Sequence, residues 1–349
     1  MKQLFFRLFH FSPLLLCIVS INYFVDPANI FKTEIYETMV NHLKNGDNIT
    51  NVTNIDERLL QKLFIAELKE CPDEIILGAS RIMSIGKASN INKINCINNG
   101  VSGASLEDIF AIYYLYIQKG WKIKKISLGL EPYYLNDNHN QKRWKILGPE
   151  FVTFYNQLAN QKKQNNNTSF DKYRELFSWS YFKSSLEYLK SENKKKIYPT
   201  KEVINEKMTR LTDGTITYDI ETRNISQEKV EKSVKQAITN QPIYSMKDFE
   251  VLSEYYTSLF SSFVDYTIEN DIELEFLLIP LHPSLFNYLQ KTPNYKMFFE
   301  AEKFYREVAT SKNIKIIGSY NPDDYQLDGS DFYDGFHCKE KAIEALYTQ

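Results

Sequence analysis

The sequence predicts an α/β protein with a mostly parallel sheet of five strands and helices on both faces. Three observations predict it. Short apolar runs of strand length alternate with amphipathic segments of helix length, the pattern of strand–helix–strand crossovers. Polar, Gly-bearing segments follow several of those runs, where a parallel sheet gathers its ligands. The chain has 349 residues, 43% hydrophobic and 25% charged, which suffices for a large packed core and excludes wholesale disorder.

The N-terminus carries Lys2 and Arg7 ahead of a run from Leu8 to Val25 that contains no Asp, Glu, Lys or Arg. Its length suits a membrane-spanning helix, and the basic residues before it place the N-terminus in the cytoplasm and the rest outside. No small-x-small cleavage site follows, so residues 1–25 are expected to stay as an anchor; a cleaved signal peptide and a buried core helix are the competing readings. Residues 26–53 are mixed and polar and read as a connector.

The α/β pattern occupies residues 54–349. Residues 56–70 place Leu59, Leu60, Leu63, Phe64 and Leu68 on one helical face. Apolar runs at 74–77, 94–97, 123–130, 274–279 and 314–317 read as five strands. Residues 105–118 form a helix with Ser105 as its cap and acidic Glu107 and Asp108 in its first turn. Residues 245–269 and 295–312 read as long helices, and a last helix starts near Lys339. Between the third and fourth strands, residues 135–240 are rich in Lys, Asn and Gln and read as a helical insertion, with polar stretches at 161–169 and 191–196.

The net charge of -2 provides no positive field for nucleic acid. The 24 Tyr and 23 Phe suit carbohydrate-facing or interface surfaces, and equally the residue usage of an AT-rich coding sequence. Four cysteines, Cys17, Cys71, Cys96 and Cys338, form no C-x-x-C pair and no zinc spacing, so no metal or other cofactor is implied.

Three segments carry candidate chemistry. Ser80, in Leu77-Gly78-Ala79-Ser80-Arg81, follows the first sheet strand at a strand-to-helix turn. Helix-terminal N–H groups there favour an oxyanion formed on nucleophilic attack, although a plain helix cap has the same sequence. His337 stands three residues after Asp334, so one short loop can present a base and the carboxylate that orients it. The segment from Asn99 to Ser105 follows the second strand, and its glycines let backbone N–H groups face a site or simply turn the chain. His282, in Pro280-Leu281-His282-Pro283, follows the fourth strand as either a site-lining or a structural histidine. Arg81 suits an acidic ligand or a local carboxylate.

Taken in order, these residues resemble the SGNH/GDSL hydrolase superfamily. The resemblance implies a flavodoxin-like three-layer sandwich, with Ser80 of Gly78-Ala79-Ser80 as nucleophile and Asp334 and His337 as its D-x-x-H block. It also implies an oxyanion hole from Ser80 and Gly103; Arg81, Glu131 and His282 are the expected substrate contacts beside it. The third block departs: Gly129-Leu130-Glu131-Pro132 stands where G-x-N-D is expected, and an ionised Glu131 has no proton to donate. The anchor, Val25-Asp26-Pro27, and the segments 78–81 and 129–132 are similar to bacterial cell-surface acyl-transfer proteins, including those of alginate O-acetylation and of D-alanyl transfer to lipoteichoic acid. That likeness implies acyl transfer or ester hydrolysis on a surface polysaccharide, beside a membrane acyltransferase, on the periplasmic side of the inner membrane. The rival expectation is an inactive, glycan-binding assembly partner of such an acyltransferase.

Overall fold

The computed structural model describes residues 2–27, 31–52, 55–91, 93–159, 173, 176–190, 197–240, 243 and 245–348, with side chains from residue 12 onward. Helix α1 (Lys2–Val25) opens the chain. Among the described residues no helix is long and apolar enough to cross a membrane. The side chains of residues 1–11, which begin the expected span, lie outside those described, so the spanning helix gains no support from the fold.

The expected connector is structured. Helix α2 (Glu34–Lys44) and strand β1 (Asn48–Thr50) lead to helix α3 (Glu57–Glu67), which Asp56 caps by accepting from the N–H groups of Arg58 and Leu59. Tyr36, Met39, Val40 and Leu43 of α2 pack with Leu60 and Phe64 of α3 in a small apolar cluster of their own.

Strands β2 (Glu74–Leu77) and β3 (Cys96–Asn98), helix α4 (Leu106–Gln118) and strand β4 (Lys125–Gly129) follow. The second strand starts later than expected because Asn95 adopts the left-handed conformation (φ 49°) and its amide donates to Cys71 O, which keeps residues 94–95 in the turn. A capping box in which Ser105 and Asp108 each satisfy the other's backbone starts α4.

The insertion holds helices α5 (Gly148–Ala159) and α6 (Trp179–Lys190), then strands β5 (Tyr198–Thr200), β6 (Thr209–Arg210) and β7 (Ile216–Thr217), then helices α7 (Ile220–Arg223) and α8 (Gln227–Thr239). It is therefore not purely helical: its strands pair antiparallel with β1 in the order β5-β1-β6-β7. Two- and three-residue strands paired across about 150 positions leave no periodicity to read. The polar stretches 161–169 and 191–196 lie outside the described residues.

Helix α9 (Glu254–Glu269), strand β8 (Glu273–Leu278), helices α10 (Pro283–Lys291) and α11 (Lys296–Lys312), strand β9 (Lys315–Gly318) and helix α12 (Glu340–Thr348) complete the chain. Left-handed residues Ser245 and Asp248 break the segment ahead of α9, which starts only at its Ser253 cap.

The main sheet is wholly parallel, in the order β3-β2-β4-β8-β9. Numbered along the chain, its strands run 2-1-3-4-5, and the order reverses beside β2. Both faces are covered, so its central strands are apolar on both sides. Ile75, Leu77, Ile126, Leu128 and Phe276 pack toward α4, α9 and α11. Ile76, Leu277 and Ile317 pack toward Ala342, Ile343 and Leu346 of α12.

Candidate active site

Ser80 is turned out of the sheet by its neighbours. Gly78 has φ 155°, and a Cβ there would stand 3.0 Å from the carbonyl oxygen of Gly129 at the end of β4. Only glycine lets the ends of β2 and β4 approach so closely. The expected helix after Ser80 is a single 3-10 turn, Ser80–Ile82, so it contributes little helix dipole.

The C-terminal segment forms a tight hairpin beside this turn. Phe332 and Cys338 make an isolated antiparallel bridge, the N–H of Tyr333 donates to His337 O at 2.9 Å, and the N–H of Lys339 donates to Asp331 O at 2.7 Å. The loop after β8 supports the hairpin from behind. His282 N–H donates to Gly335 O at 3.1 Å, and the Cys338 thiol lies 3.6 Å from Pro280 O.

Across these two segments Ser80, His337 and Asp334 form one hydrogen-bonded chain. Ser80 Oγ lies 2.9 Å from His337 Nε2. His337 Nδ1 lies 2.9 Å from Asp334 Oδ2 and 3.1 Å from Oδ1. With the Nδ1 proton donated to the carboxylate, Nε2 carries the lone pair and accepts from the serine hydroxyl. Asp334 Oδ1 also accepts from the N–H groups of Phe336 (2.7 Å) and His337 (2.9 Å). Burial pushes the Asp334 carboxyl up, but the His337 side chain and these two N–H groups outweigh it and hold the group below the ordinary carboxylate range. His337 is about a quarter exposed, so the relay opens to solvent.

The second loop lies alongside. Val101 N–H donates to Gly78 O at 3.1 Å. The buried Asn98 amide donates to Ile82 O (2.6 Å) and Ile85 O (3.0 Å), while its oxygen accepts from Gly100 N–H at 2.9 Å, tying this loop to the Ser80 turn. Arg58, buried and bidentate on Asp108 at 2.7 and 2.8 Å, also donates to the carbonyls of Ser102 and Gly103. Gly103 is left-handed (φ 52°), and a Cβ there would run into the Arg143 guanidinium. Neither the Ser80 nor the Gly103 N–H is seen to donate to another described residue.

Arg81 and Glu131 do not face the substrate side. Both are buried and bonded to each other, Arg81 Nε to Oε1 at 2.8 Å and Nη2 to Oε2 at 2.5 Å. Arg81 Nη1 also donates to Ile279 O at 2.7 Å, and its guanidinium lies over the Tyr320 ring. The pair spans the ends of β2, β4 and β8 beneath Ser80. The geometry gives these residues an anchoring role in place of the expected substrate contact. His282 is buried as well. Its Nδ1 accepts from Ser284 N–H at 3.2 Å to cap α10, and its ring packs edge-on against Phe332. Burial holds its imidazole below the ordinary range, outweighing the pull of Glu231, Asp334 and Asp328. It supports the triad hairpin from behind.

Sequence reasoning missed Tyr218. This insertion residue sets its ring 6.4 Å from the His337 ring and 5.0 Å from that of Tyr333. A tyrosine in an irregular segment more than a hundred positions from the base carries no local signal. The anchoring roles of Arg58 and Asn98 were likewise unannounced. Among the described residues no group of three or more His, Cys, Asp or Glu side chains could hold a metal ion. No protein-family model matches the chain, and no curated protein matches it.

Proposed function

We propose that this chain is a membrane-held, extracytoplasmic serine acyl-transfer enzyme of the SGNH/GDSL kind, acting on a cell-envelope polysaccharide. The observation that carries the reading is the relay from Ser80 through His337 to Asp334, with 2.9 Å at each of its two junctions. The strand order 2-1-3-4-5 is that of flavodoxin-like sandwiches, and the relay stands at the carboxyl ends of the strands, where such folds bind ligands.

Ser80 Oγ attacks the acyl donor's carbonyl carbon while His337 Nε2 takes the hydroxyl proton. Asp334 holds the imidazole in the tautomer that can do so and stabilises the imidazolium. Charge on the carbonyl oxygen is met by the N–H groups of Ser80 and Gly103. The donor's leaving group departs with the proton from His337, leaving an acyl ester on Ser80. A glycan hydroxyl then gives its proton to His337 and attacks the acyl carbon, and the proton returns to Ser80 as its bond to the acyl group breaks. Water in place of the glycan gives ester hydrolysis. The relay itself needs no cofactor, and a membrane acyltransferase is the proposed source of acyl groups.

A serine-directed fluorophosphonate tests the reading. Intact-mass analysis is expected to find one adduct on the folded chain and none on Ser80→Ala. Absence of an adduct with both this probe and activated acyl esters overturns it. The second reading, a catalytically inactive glycan-binding partner of an acyltransferase, is favoured by one observation. Glu131, locked on Arg81, offers no donor where the family pattern has an asparagine amide.

A further inference from the structure

Helices α1 and α6 form a pair joined by buried polar side chains. The side chains buried between them are polar: Asn22 and Ser185 are wholly buried, and Asp26 nearly so. The Asn22 amide donates to Leu176 O at 2.9 Å and Ser178 O at 3.1 Å. Ser185 Oγ donates to Asn22 Oδ1 at 3.3 Å, and the Tyr181 hydroxyl donates to Asp26 Oδ1 at 2.6 Å. A step of one turn forward on α6, from Tyr181 to Ser185, matches a step of one turn back on α1, from Asp26 to Asn22. The two helices therefore run antiparallel.

Several of their apolar side chains are exposed, while Ile18, Ile21, Val25, Phe182 and Leu186 are half-buried. Leu14, Leu15 and Leu16 are 57%, 47% and 64% exposed. Consecutive helical residues point about 100° apart, so these three sweep more than half of the circumference of α1. Farther along, Tyr23 and Phe24 are exposed, and Trp179 at the start of α6 is exposed too. On α6, Trp179, Phe182, Leu186 and Leu189 recur at helical spacing along one stripe, with Trp179 stacked on Phe182 at 5.1 Å. Lys183, Glu187 and Lys190 lie off that stripe. In water the hydrophobic effect selects the opposite arrangement.

We propose that the α1–α6 pair is a membrane-contact surface, with the α6 stripe seated at the headgroup–acyl boundary of a lipid bilayer beside α1. A bilayer accounts for all three features. Polar groups turned inward onto one another are how helices associate in lipid. Apolar exposure on more than one side of α1 suits a medium that surrounds it, whereas a second protein would cover one side. Tyr23, Phe24 and Trp179 are ring types that settle at the interface, and an apolar stripe with flanking lysines is the pattern of an interfacial helix. The inference rests on the reading that the chain is held at a membrane, and adds that the insertion helix shares the contact.

The test uses the full chain with vesicles of phosphatidylethanolamine and phosphatidylglycerol containing acyl-chain-brominated phosphatidylcholine. The protein is expected to float with the vesicles. Bromine is expected to quench a component of tryptophan emission that Trp179→Phe removes, and Leu186→Glu with Leu189→Glu to weaken flotation while leaving the Ser80 adduct unchanged. Flotation with quenching that Trp179→Phe does not alter overturns the role of α6 and leaves membrane attachment intact. Failure to float removes membrane attachment and this inference together. Blue-shifted Trp179 emission that bromine does not touch means that a second copy covers the stripe, and also overturns the proposal.

Discussion

Replacing Glu131 with alanine leaves the Arg81 guanidinium in a core where it is 2% exposed, beside the Ile279 carbonyl and the Tyr320 face but without its carboxylate. Stranding one member of a buried, bidentate pair costs about 3–5 kcal/mol, against roughly 0–1 kcal/mol for a pair on the surface. That is a large share of the ~5–15 kcal/mol by which a domain is normally stable. A urea titration should therefore move the unfolding midpoint of Glu131→Ala well below that of the wild type at similar slope. Glu131→Asn restores the residue of the family pattern, but its shorter amide cannot bridge both guanidinium nitrogens. It is expected to be destabilised similarly and to gain no Ser80 acylation. Arg81→Met combined with Glu131→Leu removes both charges and should recover much of the loss, because no unpaired ion remains. A loss below about 1 kcal/mol for Glu131→Ala, or a double variant no better than the single one, would refute the anchoring role. Glu131 would then return as a candidate substrate contact.

Asp334→Asn should keep the fold and lower turnover of an activated ester by roughly 10⁴-fold, since the amide favours the wrong imidazole tautomer; a loss under tenfold in steady-state kinetics argues against the relay. The low Asp334 carboxyl gives stability that is full above about pH 4 and fades as pH falls through its folded value. The wild-type advantage over Asp334→Asn should therefore shrink only below that pH in denaturant titrations. His282 behaves oppositely: its folded imidazole lies below the ordinary ~6.5, so the unfolded chain takes up the proton first and stability falls from about pH 6.5 downward. His282→Asn keeps a cap for α10 and should flatten that part of the profile, leaving the share of the similarly buried His139; an unchanged slope counts against it. Gly103→Ala forces a Cβ into left-handed backbone and into Arg143, and should cost ~1–2 kcal/mol in thermal or urea unfolding.

The sheet was legible because each strand of a parallel sheet covered on both faces is a short apolar run with its own turn. Strand β2 was read to the residue, and β8 and β9 to within one. Ser80 stood out because it follows such a run, and Asp334 and His337 because three residues of spacing in the last loop let one short segment present a base and its carboxylate. What lay hidden was the use of polar residues inside the core. For Arg81 the carboxylate alternative of the linear reading is the one found, but nothing local says that its partner is Glu131, at a strand end fifty positions away. His282 reads as either a site-lining or a structural histidine, and its Nδ1 capping the helix it precedes supports the structural reading.

The insertion is the least legible segment and the one that reaches both ends of the proposed activity. Its α6 packs on α1 through Asn22 and Asp26, while Tyr218, just past β7, sets its ring edge-on to those of His337 and Tyr333. From α8, Glu231 reaches to 3.6 Å from the Nε2 of His282, whose backbone N–H bonds the hairpin that carries His337. The intervening strands are held by β1, which follows α2 on the N-terminal side. One segment thus contacts both the α1–α6 pair and the surroundings of the His337 imidazole, through short strands and buried polar bonds. Such a connection is poorly served by periodic apolar patterning, because its contacts are few, long-range and specific. That is the physical reason why the part of the chain next to the base was the part the sequence could not describe.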